Sequence, residues 1–127
     1  MWNGDDRGPQ SFYVASLLDA AITGALEKLG GDTVVLDLRD LQESLDALVV
    51  TSGRNDRQVR AIADEIERQV EIALDVKPAR VEGLTAAEWV ALDYGDVIVH
   101  VFHDAAREYY DLEHLWSAAP AYRPDAH

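Results

Sequence analysis

The stretch from Glu88 to Phe102 reads EWVALDYGDVIVHVF. Trp89 to Asp93 and Val97 to Phe102 are rich in β-branched and aromatic residues, and between them stands Tyr94-Gly95-Asp96. Two such runs around a glycine-containing turn predict a β-hairpin. Because side chains alternate across a strand, the hairpin should present two faces of different chemistry.

The first strand of this hairpin has one face suited to a core and one suited to a partner. The core face carries large side chains throughout, from Val90, Leu92 and Tyr94. The other face mixes an aromatic ring, a small residue and a carboxylate, from Trp89, Ala91 and Asp93. Trp89 is therefore either a core side chain or a half-exposed anchor at an interface, where tryptophan is enriched.

The second strand places His100 on one face with Ile98 and Phe102, away from the valines. This position predicts a half-buried histidine with a hydrogen-bond partner, and a direct contact with another molecule is the alternative.

In the rest of the chain, the spacing of apolar residues predicts further helices and strands. Residues three and four apart favour an amphipathic helix from Ser11, its cap, to Leu29, before Gly30-Gly31. A second helix, capped by Asn55 or Asp56, should run to Leu74, before Pro78. Three further strands and a terminal region of one or two short helices complete the chain, at Val34–Leu38, Ala47–Thr51, Ala79–Glu82 and Asp104–Trp116.

These elements predict one α/β domain, a mixed β-sheet flanked by helices. A chain of 127 residues suits a single core. The domain should span residues 11–117, with a flexible leader at 1–10 and a loose tail at 118–127.

Charge and composition limit the classes of partner. The chain has 24 acidic and 11 basic residues and a net charge of −13, so it should repel nucleic acid, DNA included, and attract a basic partner. Acidity that only keeps the protein soluble is the alternative. The chain has no cysteine, no apolar run of the roughly 20 residues that a membrane span needs, and no signal peptide in its first residues. These features favour the cytoplasm and no membrane association.

The last third of the chain combines carboxylates with aromatic rings, against Arg107 as the one base from Asp93 to Glu113. Aromatic rings beside carboxylates are typical of a site for a basic, partly apolar protein surface. The candidate partner-binding residues are Trp89, Asp93, Tyr94, Asp96, His100, Tyr109, Tyr110 and Asp111. Earlier in the chain, Arg54 and Arg57 flank a helix start, where they are either solvated charges or a minor contact with RNA phosphate.

Four blocks of this sequence resemble Iojap-type ribosomal silencing factors, in order and with that family's spacing. The blocks are LVVTSGRNDRQV at 48–59, Glu82-Gly83, the hairpin at 88–102 and REYYDLEHLW at 107–116. The tryptophan, the string DYGDVIVHVF and the ending around YDLE are specific in combination. One departure is Asp46-Ala47, where family members often have a larger side chain than alanine.

The resemblance implies a fold similar to that of nucleotidyltransferases without their catalysis. It implies a translational repressor that binds ribosomal protein fourteen of the large ribosomal subunit and blocks joining of the small subunit when nutrients are short. It also implies a homodimer when free, and neither enzyme activity nor a cofactor.

Two other functions stay open from the residues alone. A metal-dependent nucleotidyl- or phosphotransferase could use Asp93, Asp96 and His100, but the Gly-Ser and Asp-x-Asp motifs of such enzymes are missing and Ser52-Gly53 has the reverse order. His100 and His103 should point to opposite faces of a strand unless the chain bends after Phe102, so a shared metal ion is disfavoured. The third function is an acidic interaction module with another basic partner.

Overall fold

The computed structural model describes residues 9–124, which form six strands and four helices. In chain order these are α1 (Pro9–Glu27), β1 (Gly31–Asp37), β2 (Ala47–Gly53), α2 (Asp56–Leu74), β3 (Arg80–Glu82), β4 (Trp89–Asp93), β5 (Val97–His103), α3 (Asp104–Tyr110), α4 (Leu112–Leu115) and β6 (Ala121–Tyr122). Most of the predicted leader, residues 1–8, lies outside the described residues. None of the described helices is long and apolar enough to cross a membrane.

The strands form one mixed sheet in the order β3-β4-β5-β2-β1-β6. β2 and β5 are parallel, with Ala47 opposite Val97 and Gly53 opposite His103, and every other pairing is antiparallel. β4 and β5 form the predicted hairpin, in which Trp89 lies opposite Phe102. The prediction of an α/β domain with a mixed sheet flanked by helices is confirmed.

The two long helices cover one face of the sheet. Asn55 caps α2, since its side chain accepts a hydrogen bond from the Gln58 amide, and the left-handed Asp75 ends that helix. α1 crosses α2 closely at Gly24, where an added Cβ would lie 2.6 Å from the Ile66 Cα atom. We name this the helix side; its core is mainly aliphatic and includes Val90, Leu92, Val97, Val99 and Val101, all with no exposed surface.

The opposite face is covered over only part of its width. A second cluster of buried side chains lies there on β1, β2 and the end of β5, and includes Leu36, Leu48, Val50 and Phe102. Ala106, Leu112 and Trp116, from α3, α4 and the segment after them, pack against it. We name this the open side, because α3 and α4 are too short to reach across β3 and β4.

Two elements differ from their predicted bounds. α1 begins at Pro9, two residues before the predicted start at Ser11. The predicted loose tail is partly built into the fold: Ala119 is buried, and Ala121 and Tyr122 pair with β1 as an edge strand. This pairing covers the hydrogen-bonding groups of β1 at that edge of the sheet.

Candidate docking surface

The uncovered part of the open side forms a depression over the β4–β5 hairpin. It has a volume of about 540 Å³ and is lined by Arg80, Glu82, Gly83, Trp89, Ala91, Asp93, Ile98 and His100. Alternation puts these side chains here, because the intervening residues of β4 and β5 face α1 and α2. The predicted division of the hairpin into a core face and an open face is confirmed.

Trp89 is half-buried and combines the two roles that the sequence left open. Its ring centroid lies 4.9 Å from that of the buried Phe102 and 4.7 Å from that of Tyr110, so one part of the indole is packed within the protein. Another part lines the depression. Its indole Nε1 donates a hydrogen bond to Nδ1 of His100 at 2.9 Å, which fixes the ring orientation.

His100 is half-buried with a hydrogen-bond partner, as predicted. Burial lowers the pKa of His100 to about 4, so the ring is neutral at physiological pH. Since Nδ1 accepts the hydrogen bond from Trp89, the proton of the neutral ring is on Nε2. His100 therefore adds a neutral polar group to the depression and no charge.

Asp93 and Asp96, two carboxylates of the predicted site, lie next to and within the turn of the hairpin. Asp93 lies on the open side, where its Oδ1 accepts a hydrogen bond from the Gly95 amide at 2.8 Å and its Oδ2 lies 3.5 Å from Arg80. Asp96 lies in the turn itself, and its backbone carbonyl accepts from the Asp46 amide at 2.7 Å. Asp93 thus faces the depression, whereas the backbone of Asp96 fastens the turn to the start of β2.

Tyr109 and Tyr110 extend the aromatic surface beyond the sheet. The Tyr109 side chain is 81% exposed and that of Tyr110 is 49% exposed. The two rings meet edge to face at 5.0 Å. They line a second depression with Glu88, His103 and Asp56, next to the one over the hairpin. Trp89, Tyr110 and Tyr109 therefore form a continuous aromatic strip between the two depressions.

Arg107 fixes the position of α3 and α4, and no sequence pattern predicted its contacts. Its guanidinium donates to the carbonyl oxygens of Gly31 and Asp32 at 2.8 and 2.7 Å and to the Ser52 hydroxyl at 3.1 Å. It also binds both carboxylate oxygens of Glu113, at 3.1 and 3.0 Å. Arg107 thereby joins α3 and α4 to the start of β1 and the end of β2.

Asp111 and Tyr94 have surroundings different from those of the aromatic strip. Asp111 is exposed between α3 and α4, where its left-handed conformation (φ 48°) ends α3. Tyr94, which the sequence analysis included among the partner-binding residues, is only 8% exposed and belongs to the helix-side core. Its hydroxyl is buried without a hydrogen-bond partner among the described residues, and burial raises the pKa of the phenol. We define the docking surface as Trp89, Ala91, Asp93, Ile98, His100, Tyr109 and Tyr110.

Comparison with known proteins assigns the chain to a family. Residues 13–126 match the family described as "Ribosomal silencing factor during starvation". The chain belongs to the ribosomal silencing factor family. It is 42% identical over 106 residues to ribosomal silencing factor RsfS of Bacillus subtilis, an alignment that covers 83% of this chain and 88% of that protein.

Solved structures agree with this family in fold. A crystal structure of a Chromobacterium violaceum protein superposes with a TM-score of 0.78 at 32% identity, covering 89% of this chain and 93% of that one. A crystal structure of a Bacillus halodurans protein gives 0.73 at 35% identity, covering 85% and 97%. The resemblance found in the four sequence blocks is therefore confirmed.

The two histidines that the sequence analysis considered as metal ligands make other contacts in this fold. His100 Nδ1 is occupied by Trp89, and His103 caps α3 by accepting a hydrogen bond from the Ala105 amide at 3.3 Å. Within residues 9–124, no group of three or more histidine, aspartate and glutamate side chains is placed to hold a metal ion. The described part of the chain therefore has no set of metal ligands for a metal-dependent phosphotransferase.

Proposed function

We propose that this silencing factor binds the large ribosomal subunit through ribosomal protein fourteen, in the cytoplasm, and sterically blocks joining of the small subunit. Membership of the ribosomal silencing factor family supports an action on ribosomes. Steric occlusion requires a firm protein contact and no chemistry, so the mechanism uses neither a catalytic residue nor a cofactor.

We choose this surface because no other described element covers the aromatic part of the open side. Trp89, Tyr109 and Tyr110 form a strip whose inner side is fixed by packing on Phe102. Aromatic side chains that are already ordered lose little conformational entropy on binding, and they dominate the energetics of many interfaces. A partner that covers the strip would also close the depression beneath it.

The charge of the protein supports a basic partner. The net charge is −13, and carboxylates lie near the strip, with Asp93 in the depression and Glu88 and Asp56 beside the tyrosines. An acidic surface accelerates encounter with a basic one, and salt weakens this effect because it screens exposed charges over about 8 Å at physiological ionic strength. The aromatic rings would contribute most of the buried contact area. The carboxylates would raise the association rate and orient the partner.

We also propose that the free protein forms a homodimer through part of the docking surface. The aromatic strip is uncovered in the monomer, and exposed apolar surface of this kind often associates with itself. Dimer and ribosome would then compete, so the monomer is the form that silences.

The proposal is tested by sedimentation with separated ribosomal subunits and by subunit joining in vitro. The wild-type protein should move with large subunits alone and prevent their joining. Tyr109→Ala should bind at least several-fold more weakly, because it removes an exposed ring from the strip. Ile72→Ala is the matched control, since Ile72 is 66% exposed on α2, away from the docking surface.

Three outcomes would contradict this function. The protein could stay at the top of the gradient, it could bind without affecting subunit joining, or Tyr109→Ala could bind as well as Ile72→Ala. A dimer found intact on the large subunit would end the idea of competition while leaving the docking surface itself in place.

A further inference from the structure

Most cationic side chains of the described chain are already engaged within the protein. Arg39 pairs with Asp37 at 2.7 Å, and Arg107 pairs with Glu113 at 3.0 Å. Ion pairs also engage Arg68, Lys77, Arg80 and Arg123, and Arg60 donates to two backbone carbonyls. No carboxylate within residues 9–124 forms an ion pair with the three remaining cations, which are Lys28, Arg54 and Arg57.

These three cations lie in one groove, although they come from different parts of the chain. The groove has a volume of about 450 Å³ and lies between the end of α1 and the start of α2. Lys28, Arg54 and Arg57 line it and are all exposed, and Glu27 is the one carboxylate in the lining. We name it the basic groove.

Gln58 holds the segments that carry these cations in place. Its side-chain Nε2 donates to the carbonyl oxygens of Lys28 and Leu29 at 3.1 and 3.2 Å. Its Oε1 accepts a hydrogen bond from the Arg54 amide at 2.8 Å. Because these bonds already order the backbone, a bound anion would not have to arrange the groove.

The grouping of these cations is unexpected in a chain with this charge. With 24 acidic residues available, three neighbouring cations could have been neutralised by carboxylates, as Arg39, Arg68, Lys77, Arg80, Arg107 and Arg123 are. A protein of net charge −13 is repelled by phosphate at long range, so any contact with a polyanion requires a local concentration of positive charge. The basic groove supplies that concentration.

The groove also has a definite position relative to the docking surface. The first turn of α2 separates the two: Arg57 lines the basic groove, whereas the preceding Asp56 lines the depression that contains Tyr109 and Tyr110. We propose, on the basis of the function proposed above, that the basic groove binds the phosphate backbone of ribosomal RNA while the docking surface binds the ribosomal protein. Two contacts of different chemistry would restrict the protein to a place where both partners are present.

Matched pairs of charge substitutions test the electrostatic part. Arg54→Gln combined with Arg57→Gln removes two cations from the groove, and Arg68→Gln combined with Lys77→Gln removes two from the exposed surface of α2 and the loop after it. Both variants have the same net charge. The groove variant should bind large subunits more weakly, and its plot of log affinity against log salt should be less steep by about 2. The control variant should keep the wild-type slope.

An RNA partner is identified by cleavage from a tethered iron chelate, which is attached to a single introduced cysteine because the chain has none. Ala61→Cys places the chelate in the basic groove, and Ala73→Cys places it about 18 Å further along the same helix. Hydroxyl radicals should cut large-subunit RNA from position 61, with little or no cutting from position 73.

Each result decides between the proposals. If the wild-type protein does not bind large subunits, the proposed function fails and this inference fails with it. If it binds but the two charge variants behave alike, the groove is solvated and only this inference fails. Weaker binding of the groove variant without RNA cleavage from position 61 would overturn the RNA contact.

Discussion

The two faces of the sheet use the same strands but are completed differently. On the helix side, α1 and α2 have 19 residues each and cover β4, β5 and β2 with aliphatic contacts. On the open side, α3 has 7 residues and α4 has 4, and they cover only part of the sheet. Consecutive residues of β4 therefore alternate between full burial and partial exposure.

A small domain can therefore present aromatic side chains to a partner without losing its fold. We expect its stability to depend mainly on the helix side, where the buried side chains are mainly aliphatic. Substitutions on the helix side should therefore change stability, and substitutions on the open side should change binding.

The largest effect is expected for Leu92→Ala on the helix side. Leu92 has no exposed surface, and removing its side chain leaves a cavity that should cost about 2–5 kcal/mol of the free energy of unfolding. Urea unfolding measures this loss. Ile98→Ala is the control from the open side, where the side chain is half-buried, so its loss should be clearly smaller. Equal losses in the two variants would show that the faces do not differ in their contribution to stability.

The next effect is a dependence of stability on pH that comes from His100. Burial lowers its pKa from 6.5 to about 4, so between these values the unfolded chain binds a proton that the folded chain does not. The contribution of a neutral His100 is complete above pH 6.5 and is lost as the pH falls through about 4, by about 3 kcal/mol in total.

Urea unfolding at several pH values should compare the wild type with His100→Gln. Glutamine does not titrate, yet its side-chain oxygen can accept the hydrogen bond from Trp89. All carboxylates are common to both proteins, so the difference between their stabilities isolates the histidine. If the difference is constant from pH 7 to 4, the ring is not held neutral by burial.

Trp89→Ala should lower both stability and binding, because the ring packs on the buried Phe102 and also belongs to the docking surface. Its packing on Phe102 and Tyr110 predicts a stability loss of about 2 kcal/mol, below the 3–5 kcal/mol of a fully buried tryptophan. Binding to large subunits should weaken by about 2 kcal/mol or more, roughly thirtyfold. Val70→Ala is the control, since it destabilises the helix side without altering the docking surface. A thirtyfold loss in both variants would mean that instability alone weakens binding.

Much of the hairpin was predictable from the sequence, because side chains alternate between the two faces of a strand. A strand with one buried face has a strongly specified register, because a slip by one residue would expose the whole apolar set. Val90 and Leu92 therefore determine the face of Trp89, Val99 and Val101 determine that of His100, and the structure confirms both positions. The half-buried state of His100 follows from the same pattern.

Contacts between distant parts of the chain were not predictable in this way. Arg107 binds the carbonyl oxygen of Gly31 across 76 residues, and no local pattern encodes that separation. The pairing of Ala121 and Tyr122 with β1 is too short to give a strand pattern. For Tyr94 two sequence patterns disagree: aromatic rings beside acids favour a surface, whereas strand alternation favours the core, and its burial in the structure follows the alternation.

Tyr94→Phe gives the smallest and most specific effect, since it changes one oxygen atom on the helix side. The Tyr94 hydroxyl is buried without a partner among the described residues, and an unsatisfied buried hydroxyl lowers stability. Its removal should raise the free energy of unfolding by up to about 1 kcal/mol, because phenylalanine keeps the packed ring. Large-subunit binding should stay unchanged, because the ring faces the helices. Tyr13→Phe, a half-buried tyrosine against the same core, is the control and should change stability less. A loss of stability in Tyr94→Phe would mean that a buried water binds the hydroxyl, and weaker binding of the variant would return Tyr94 to the docking surface.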